Sequence, residues 1–92
     1  MTEETSVSAR ITGRVQGVWY RGWTRAEAER LGLRGWVRNE SDGSVSALLC
    51  GPEPQVDEML RRMWHGPGGA RVDDIETRPG TPVDGTGFDV RR

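Results

Sequence analysis

The run Val15-Gln16-Gly17-Val18-Trp19-Tyr20-Arg21 carries the sequence's clearest chemical signal. An alternating, strand-like pattern precedes it and a helix-like composition follows it, so the loop sits immediately before a helix N-terminus. Backbone N–H groups at a helix start are unpaired and lie at the positive end of the helix dipole. A curved loop can aim several of them at one anion. Gly17 lets the chain curl without a Cβ penalty. Arg21 adds a planar, permanently charged fork that grips two phosphate oxygens, each charge-assisted bond contributing about 1.5–3 kcal/mol. The chemistry indicated is phosphate binding, with the amides of Val15, Gln16, Gly17, Val18, Trp19 and Tyr20 as cradle and Arg21 as clamp. Alone, this arrangement is also that of an ordinary turn followed by an exposed Arg.

Other catalytic apparatus is scarce. His65 is the single histidine and lies beside the Gly66-Pro67 break, where it suits the carbonyls at the end of a helix better than a base's role. Cys50 is the single cysteine and suits a small apolar packing group. Ser6, Ser8, Ser41, Ser44 and Ser46 have no base placed by spacing, and no His/Cys/carboxylate cluster has ligand spacing, so no metal site and no cofactor are expected. A reaction with a good leaving group needs none of these. In an acyl phosphate the leaving group is a carboxylate, whose conjugate acid has a pKa near ~4 and which departs without a general acid. Transfer to water then requires charge stabilisation and a positioned nucleophile. Arg21 and the loop amides suit the first task. Asn39, whose carboxamide both donates and accepts, suits the second. Asn removes no proton near neutral pH, so the water's proton would pass to a phosphate oxygen of the substrate.

These residues must be positioned by a small fold. The length of 92 residues implies one domain, with an ordered core over about residues 7–90. Val7, Ala9 and Ile11 alternate with Ser8, Arg10 and Thr12 as a half-buried strand, and residues 1–5 read as a frayed end. Tyr20, Thr24, Ala28 and Leu31 recur at helical spacing, with Gly32 as the stop. Arg34 to Asn39 and the more apolar Val45 to Cys50 are strands joined by a Ser41-Asp42-Gly43-Ser44 turn. Pro54 suits the first turn of a second helix, whose stripe Val56, Met59, Leu60, Met63 and Trp64 is expected in the core. Arg71 to Arg78 follows as a strand in which Val72 and Ile75 break alternation, predicting a bulge. After the turn-rich residues 79–87, Phe88-Asp89-Val90 is a short terminal strand. The order βαββαβ plus this strand predicts a ferredoxin-like α+β sandwich, an antiparallel sheet with two helices on one face. In it the first and second strands run the same way on either side of the third. Their C-terminal ends, hence the 15–20 loop and Asn39, meet at one edge.

At these residues the chain resembles the acylphosphatase family. ITGRVQGVWYR at residues 11–21 and GWVRNESDGSVSALLCG at 35–51 resemble its two signatures, one ending in Arg and one containing Asn. The stretch with Thr24 and Leu31-Gly32-Leu33, and Gly66-Pro67, extend the resemblance to residues 7–90. It implies a ferredoxin-like fold and metal-free hydrolysis of a small-molecule acyl phosphate to carboxylate and phosphate. By motif position Arg21 takes the phosphate-binding role, Asn39 the water-orienting role, and Gln16 to Tyr20 the amide cradle. One departure is Tyr20, where the family pattern has Phe. With Trp19 before it, its added hydroxyl needs water or a partner and is expected to bear on the pocket rim.

Composition bounds the rest. A net charge of −1 gives no general attraction to nucleic acid or membrane, no apolar run approaches a membrane span, and MTEETSVS is no signal pattern. A cysteine-poor small fold suits a reducing cytoplasm, and a monomer is the simplest expectation. All 13 basic residues are Arg, so each needs its own argument; Arg38 is expected to be solvated. Two other readings stand beside the enzyme. A binding module would hold the anion without turnover. An RNA-binding domain of this fold would stack bases on open-face aromatics; Trp36 is its best candidate, although packing under or beside the sheet is the plainer expectation.

Overall fold

A computed structural model describes residues 3–91. The elements are β1 (Glu4–Arg14), α1 (Tyr20–Arg30), β2 (Arg34–Asn39), β3 (Val45–Pro52), α2 (Glu53–Met63), β4 (Arg71–Pro79) and β5 (Phe88–Arg91). They form one five-stranded sheet in the order β4-β1-β3-β2-β5. As the topology predicted, β3 is central and antiparallel to both β1 and β2. The short strand β5 instead pairs parallel with β2, so the sheet is mixed rather than wholly antiparallel. The helices lie on one face, α1 against β2 and β5, α2 against β1 and β3.

Residue pattern explains the layers. Ala9 and Ile11 on β1, Val37 on β2 and Val45, Ala47 and Leu49 on β3 meet Tyr20 and Ala28 of α1 and Val56, Met59 and Met63 of α2 in the core. Leu31 and Leu60 pack against it partly buried. Trp64 does not join: α2 ends at Met63, and the Trp64 side chain is exposed because it caps the helix instead of continuing its buried face. The frayed start is also overturned for its described residues. Glu4 and Thr5 pair with Pro52 and Gly51, the Glu3 carbonyl accepts from the Glu53 N–H, and the Glu4 carboxylate accepts from Arg34 at 2.6 Å. Met1 and Thr2 lie outside the described residues.

The expected bulge is present in β4. Thr12 faces Asp74 and Gly13 faces Val72, so Asp73 is the extra residue, which sets Val72 and Ile75 on the same side. Gly13 makes it possible: at φ 125 its backbone approaches β4 so closely that a Cβ would lie 2.2 Å from the Arg71 carbonyl oxygen.

The connection from β4 to β5 crosses the helix-free face. The Gly80 N–H donates to Ser6 O at 2.9 Å, and a Cβ at Gly80 would lie 2.5 Å from Leu48 Cδ1. This strap carries the chain from one sheet edge to the other. Trp36 lies beneath it, on the open face, with Leu48 and Ser8. It packs against that face of the sheet, and two guanidiniums, those of Arg38 and Arg91, lie 4.8 and 5.0 Å from its ring centroid. Arg38 also donates to Glu40 at 3.1 Å, so it is engaged rather than merely solvated. No helix among the described residues is long and apolar enough to cross a membrane.

Candidate active site

The β1–α1 loop and the end of β2 close around one pocket of about 320 Å³, lined by Val15, Gln16, Gly17, Trp19, Tyr20, Arg21, Gly22, Asn39 and Val90. Among the described residues no lining residue is acidic, and the first turn of α1 contains no acid, so no described side-chain carboxylate in the lining opposes Arg21 and the helix N-terminus. Of the residues expected from the sequence, all but Val18 line it. Val18 turns its side chain onto the core instead.

The loop's shape comes from two left-handed residues. Gly17 has φ 74, which glycine adopts freely. Trp19 has φ 63 and ψ 25 and is the only non-glycine described residue with positive φ. That conformation costs a side-chain-bearing residue about 1–2 kcal/mol. Trp19 is also the N-cap of α1, and its carbonyl accepts the first helical bond, from the Trp23 N–H at 3.0 Å. Its indole packs over Gly22, where an added Cβ would lie 2.2 Å from Nε1. Glycine inside a helix costs roughly 1 kcal/mol relative to Ala, so a second local cost surrounds the same side chain.

A hydrogen-bonded tie fixes the loop to the end of β2. Gln16 Nε2 donates to the Glu40 carbonyl at 2.8 Å and to the Ser44 carbonyl at 2.9 Å. Glu40 directly follows Asn39, and Ser44 closes the hairpin. The hairpin is braced in turn: the Asp42 carboxylate accepts from Ser44 Oγ at 2.6 Å and Ser44 N–H at 2.9 Å, and pairs with Arg10. These bonds, those from Ser44 first, hold the Asp42 carboxyl well below the usual carboxylate range. The Gln16 side chain therefore braces the loop against the hairpin, a role its place in the loop did not reveal.

Alternation along β2 sets Asn39 on the helix-side face with Gly35 and Val37, beneath the start of α1. Its Oδ1 is buried without a hydrogen-bond partner among the described residues. Such an atom usually has a partner, and one that lacks it while lining a pocket beside Arg21 is suited to hold a small polar molecule there. Arg21 Nη1 donates to the Arg91 carbonyl at 2.9 Å, taking one of the guanidinium's five N–H donors and tethering the side chain to β5. Tyr20 does not shape the rim. It is buried, its hydroxyl donates to the Met63 carbonyl at 2.7 Å, and burial pushes its phenol up from the ordinary value. The extra oxygen ties α1 to the end of α2, and only the rest of the residue reaches the pocket.

Gly22 and Val90 were missed. Gly22 carried a faint signal, a glycine in a first helical turn. Val90 carried none, because its place depends on which edge β5 joins. His65 is exposed, and its backbone N–H, at 3.0 Å from Arg62 O, makes the contact with the helix end. Cys50 is buried, as its apolar reading predicted. Among the described residues no three His, Cys, Asp or Glu are grouped to hold a metal ion.

Comparison with known proteins now bears on this pocket. A family model described as Acylphosphatase matches residues 7–90, which include both the β1–α1 loop and Asn39. The chain belongs to the acylphosphatase family. The acylphosphatase of Sinorhizobium medicae (strain WSM419) is 56% identical over 84 residues, 90% of this chain and 89% of that one. The acylphosphatase of Rhizobium meliloti (strain 1021) is 57% identical over 84 residues, 90% and 88% of the two chains. The solved acylphosphatase of Coxiella burnetii superposes with a TM-score of 0.91 at 35% identity, covering 96% of this chain and 93% of that one. The ferredoxin-like fold is thus the family's fold, and hydrolysis of acyl phosphates is the activity that membership carries.

Proposed function

We propose that this pocket hydrolyses acyl phosphates without a metal ion, the β1–α1 loop and Arg21 holding the phosphoryl group and Asn39 orienting the water. The observation that carries the reading is the buried, unpartnered Asn39 Oδ1 in the same acid-free pocket as Arg21 and the loop amides.

The loop amides from Val15 to Tyr20 and the α1 N-terminus bind phosphate oxygens, and Arg21 neutralises charge that spreads over them in the loose transition state of phosphoryl transfer. The tether to the Arg91 carbonyl restricts the guanidinium beforehand, so less side-chain freedom is lost on binding. Asn39 Oδ1 accepts a hydrogen bond from the water and aims its lone pair at phosphorus. The P–O bond to the acyl oxygen breaks as the water oxygen bonds phosphorus. The carboxylate leaves with that electron pair, and the water's proton passes to a phosphate oxygen. The Gln16 tie keeps the phosphate site and Asn39 in register, the condition for near-attack geometry.

The test is hydrolysis of benzoyl phosphate in the presence of EDTA. Turnover by the wild type and its loss in Arg21→Gln and Asn39→Ala support the reading; equal rates in all three proteins contradict it. An anion-binding module without turnover would bind phosphate equally well and release no benzoate.

A further inference from the structure

Two of the three large hydrophobic side chains exposed on the described surface belong to the pocket: Trp19 at 69% and Val90 at 40%. They come from different elements, the α1 N-cap and the β5 edge strand, and neither is needed to hold or attack a phosphoryl group. The Trp19 indole is also held where it is against local preference. Its backbone is left-handed, the one described non-glycine residue that is, and Gly22 leaves bare the helix surface on which the ring rests. The left-handed backbone also shapes the loop, and the bare surface at Gly22 is what seats the ring. Strain of this kind points to a use for the group it positions.

The pocket's polar part, the amides, Arg21 and Asn39, accounts for the phosphoryl end of a substrate. The acyl substituent must continue from that end toward the pocket's mouth. Trp19 offers a flat π-face and Val90 an aliphatic surface to whatever emerges there. We propose that Trp19 and Val90 form an apolar subsite for the acyl substituent, so that aromatic acyl phosphates are preferred to acetyl phosphate. This rests on the reading of the pocket as the acyl phosphate site. Gly22 is a positioning residue in the same device, since its missing side chain seats the indole.

An aryl group that stacks on Trp19 does so before and during phosphoryl transfer alike, so the preference enters mainly through KM. The experiment measures kcat and KM for benzoyl phosphate and acetyl phosphate in wild type, Trp19→Gly and Gly22→Ala. Trp19→Gly relieves the left-handed backbone, and Gly22→Ala favours the helix, so both should fold. The expected result is a benzoyl-to-acetyl ratio of kcat/KM that falls about tenfold in Trp19→Gly, the size of one aromatic contact, through a raised KM for benzoyl phosphate. In Gly22→Ala the displaced indole should lower the ratio in the same direction. Damage to the phosphate cradle would lower both substrates together and leave the ratio unchanged. An unchanged ratio in both variants, whatever the absolute rates, overturns the subsite. Absence of hydrolysis of either substrate by the wild type overturns the acyl phosphate reading itself, a failure separate from a lost preference.

Discussion

Replacing Gln16 by Met tests whether the β1–α1 loop, proposed to hold phosphate, and Asn39, proposed to orient the water, work as one unit. Met matches Gln in length and removes only the amide that bridges the loop to the hairpin. The two lost bonds measure 2.8 and 2.9 Å. Neither acceptor is orphaned: the Glu40 carbonyl still accepts from Gly43 N–H at 3.2 Å, and the Ser44 carbonyl still accepts from Glu40 N–H at 2.8 Å. The loss is therefore that of two net hydrogen bonds, not of buried unsatisfied groups, and amounts to about 1–3 kcal/mol in all. In a domain of this size each kcal/mol lowers the melting temperature by about 4–8 °C. The kinetic effect is separate. A displacement near 1 Å between reacting groups lowers rates by roughly 100-fold, so a partly loosened loop should lose at least about tenfold in kcat. KM should change less, because Arg21 and the amides remain. Thermal unfolding by circular dichroism and steady-state hydrolysis of benzoyl phosphate measure both. A lower melting temperature with unchanged kcat would refute the reasoning, since the tie would then be structural only.

Three further outcomes follow from particular contacts. Tyr20→Phe should lose about 1 kcal/mol in urea unfolding at neutral pH, the worth of the bond to the Met63 carbonyl. Because the buried phenol is shifted upward, wild-type stability from it is present below about pH 10 and lost as pH rises further, so the variant should lose less above that pH; parallel curves would count against it. Asp42, shifted downward, contributes stability above about pH 4 that is lost as pH falls below it; Asp42→Asn should be less stable at pH 7 and lose less between pH 4 and 2.5, checked by urea midpoints across that range. Gly13→Ala should destabilise by about 2 kcal/mol or more, because the new methyl meets the Arg71 carbonyl at a positive φ; a urea midpoint near that of the wild type would show that β4 yields at the bulge.

The parts of the site legible in the sequence were those set by local pattern. The glycine-containing loop before a helix marked one wall of the pocket, and the strand ending at Asn39 was readable to its last residue. Topology then brought them to one edge, and the bulge in β4 was visible in the three-residue spacing of Val72 and Ile75. What was not legible depended on where a segment goes rather than on what it is. The strap over the open face takes β5 to the far edge, and only there do Val90 and the Arg91 carbonyl reach Arg21. Trp36 has the composition of a core residue, but the strap covers it on the open face, with Arg38 and Arg91 over its ring. Trp64 kept the helical spacing of its stripe, yet the helix stopped one residue before it. For Tyr20, chemistry said that the hydroxyl needed a partner; only packing could say that the partner lay in the core rather than at the rim.

The proposed division of labour between Arg21 and Asn39 is most directly tested by measuring two quantities in each variant: inorganic phosphate binding, by isothermal titration, and kcat for benzoyl phosphate. Asn39→Ala should bind phosphate within a few-fold of wild type yet lose nearly all turnover, whereas Arg21→Gln should lose both. Turnover by Asn39→Ala near the wild-type rate, or undiminished phosphate binding by Arg21→Gln, would contradict it.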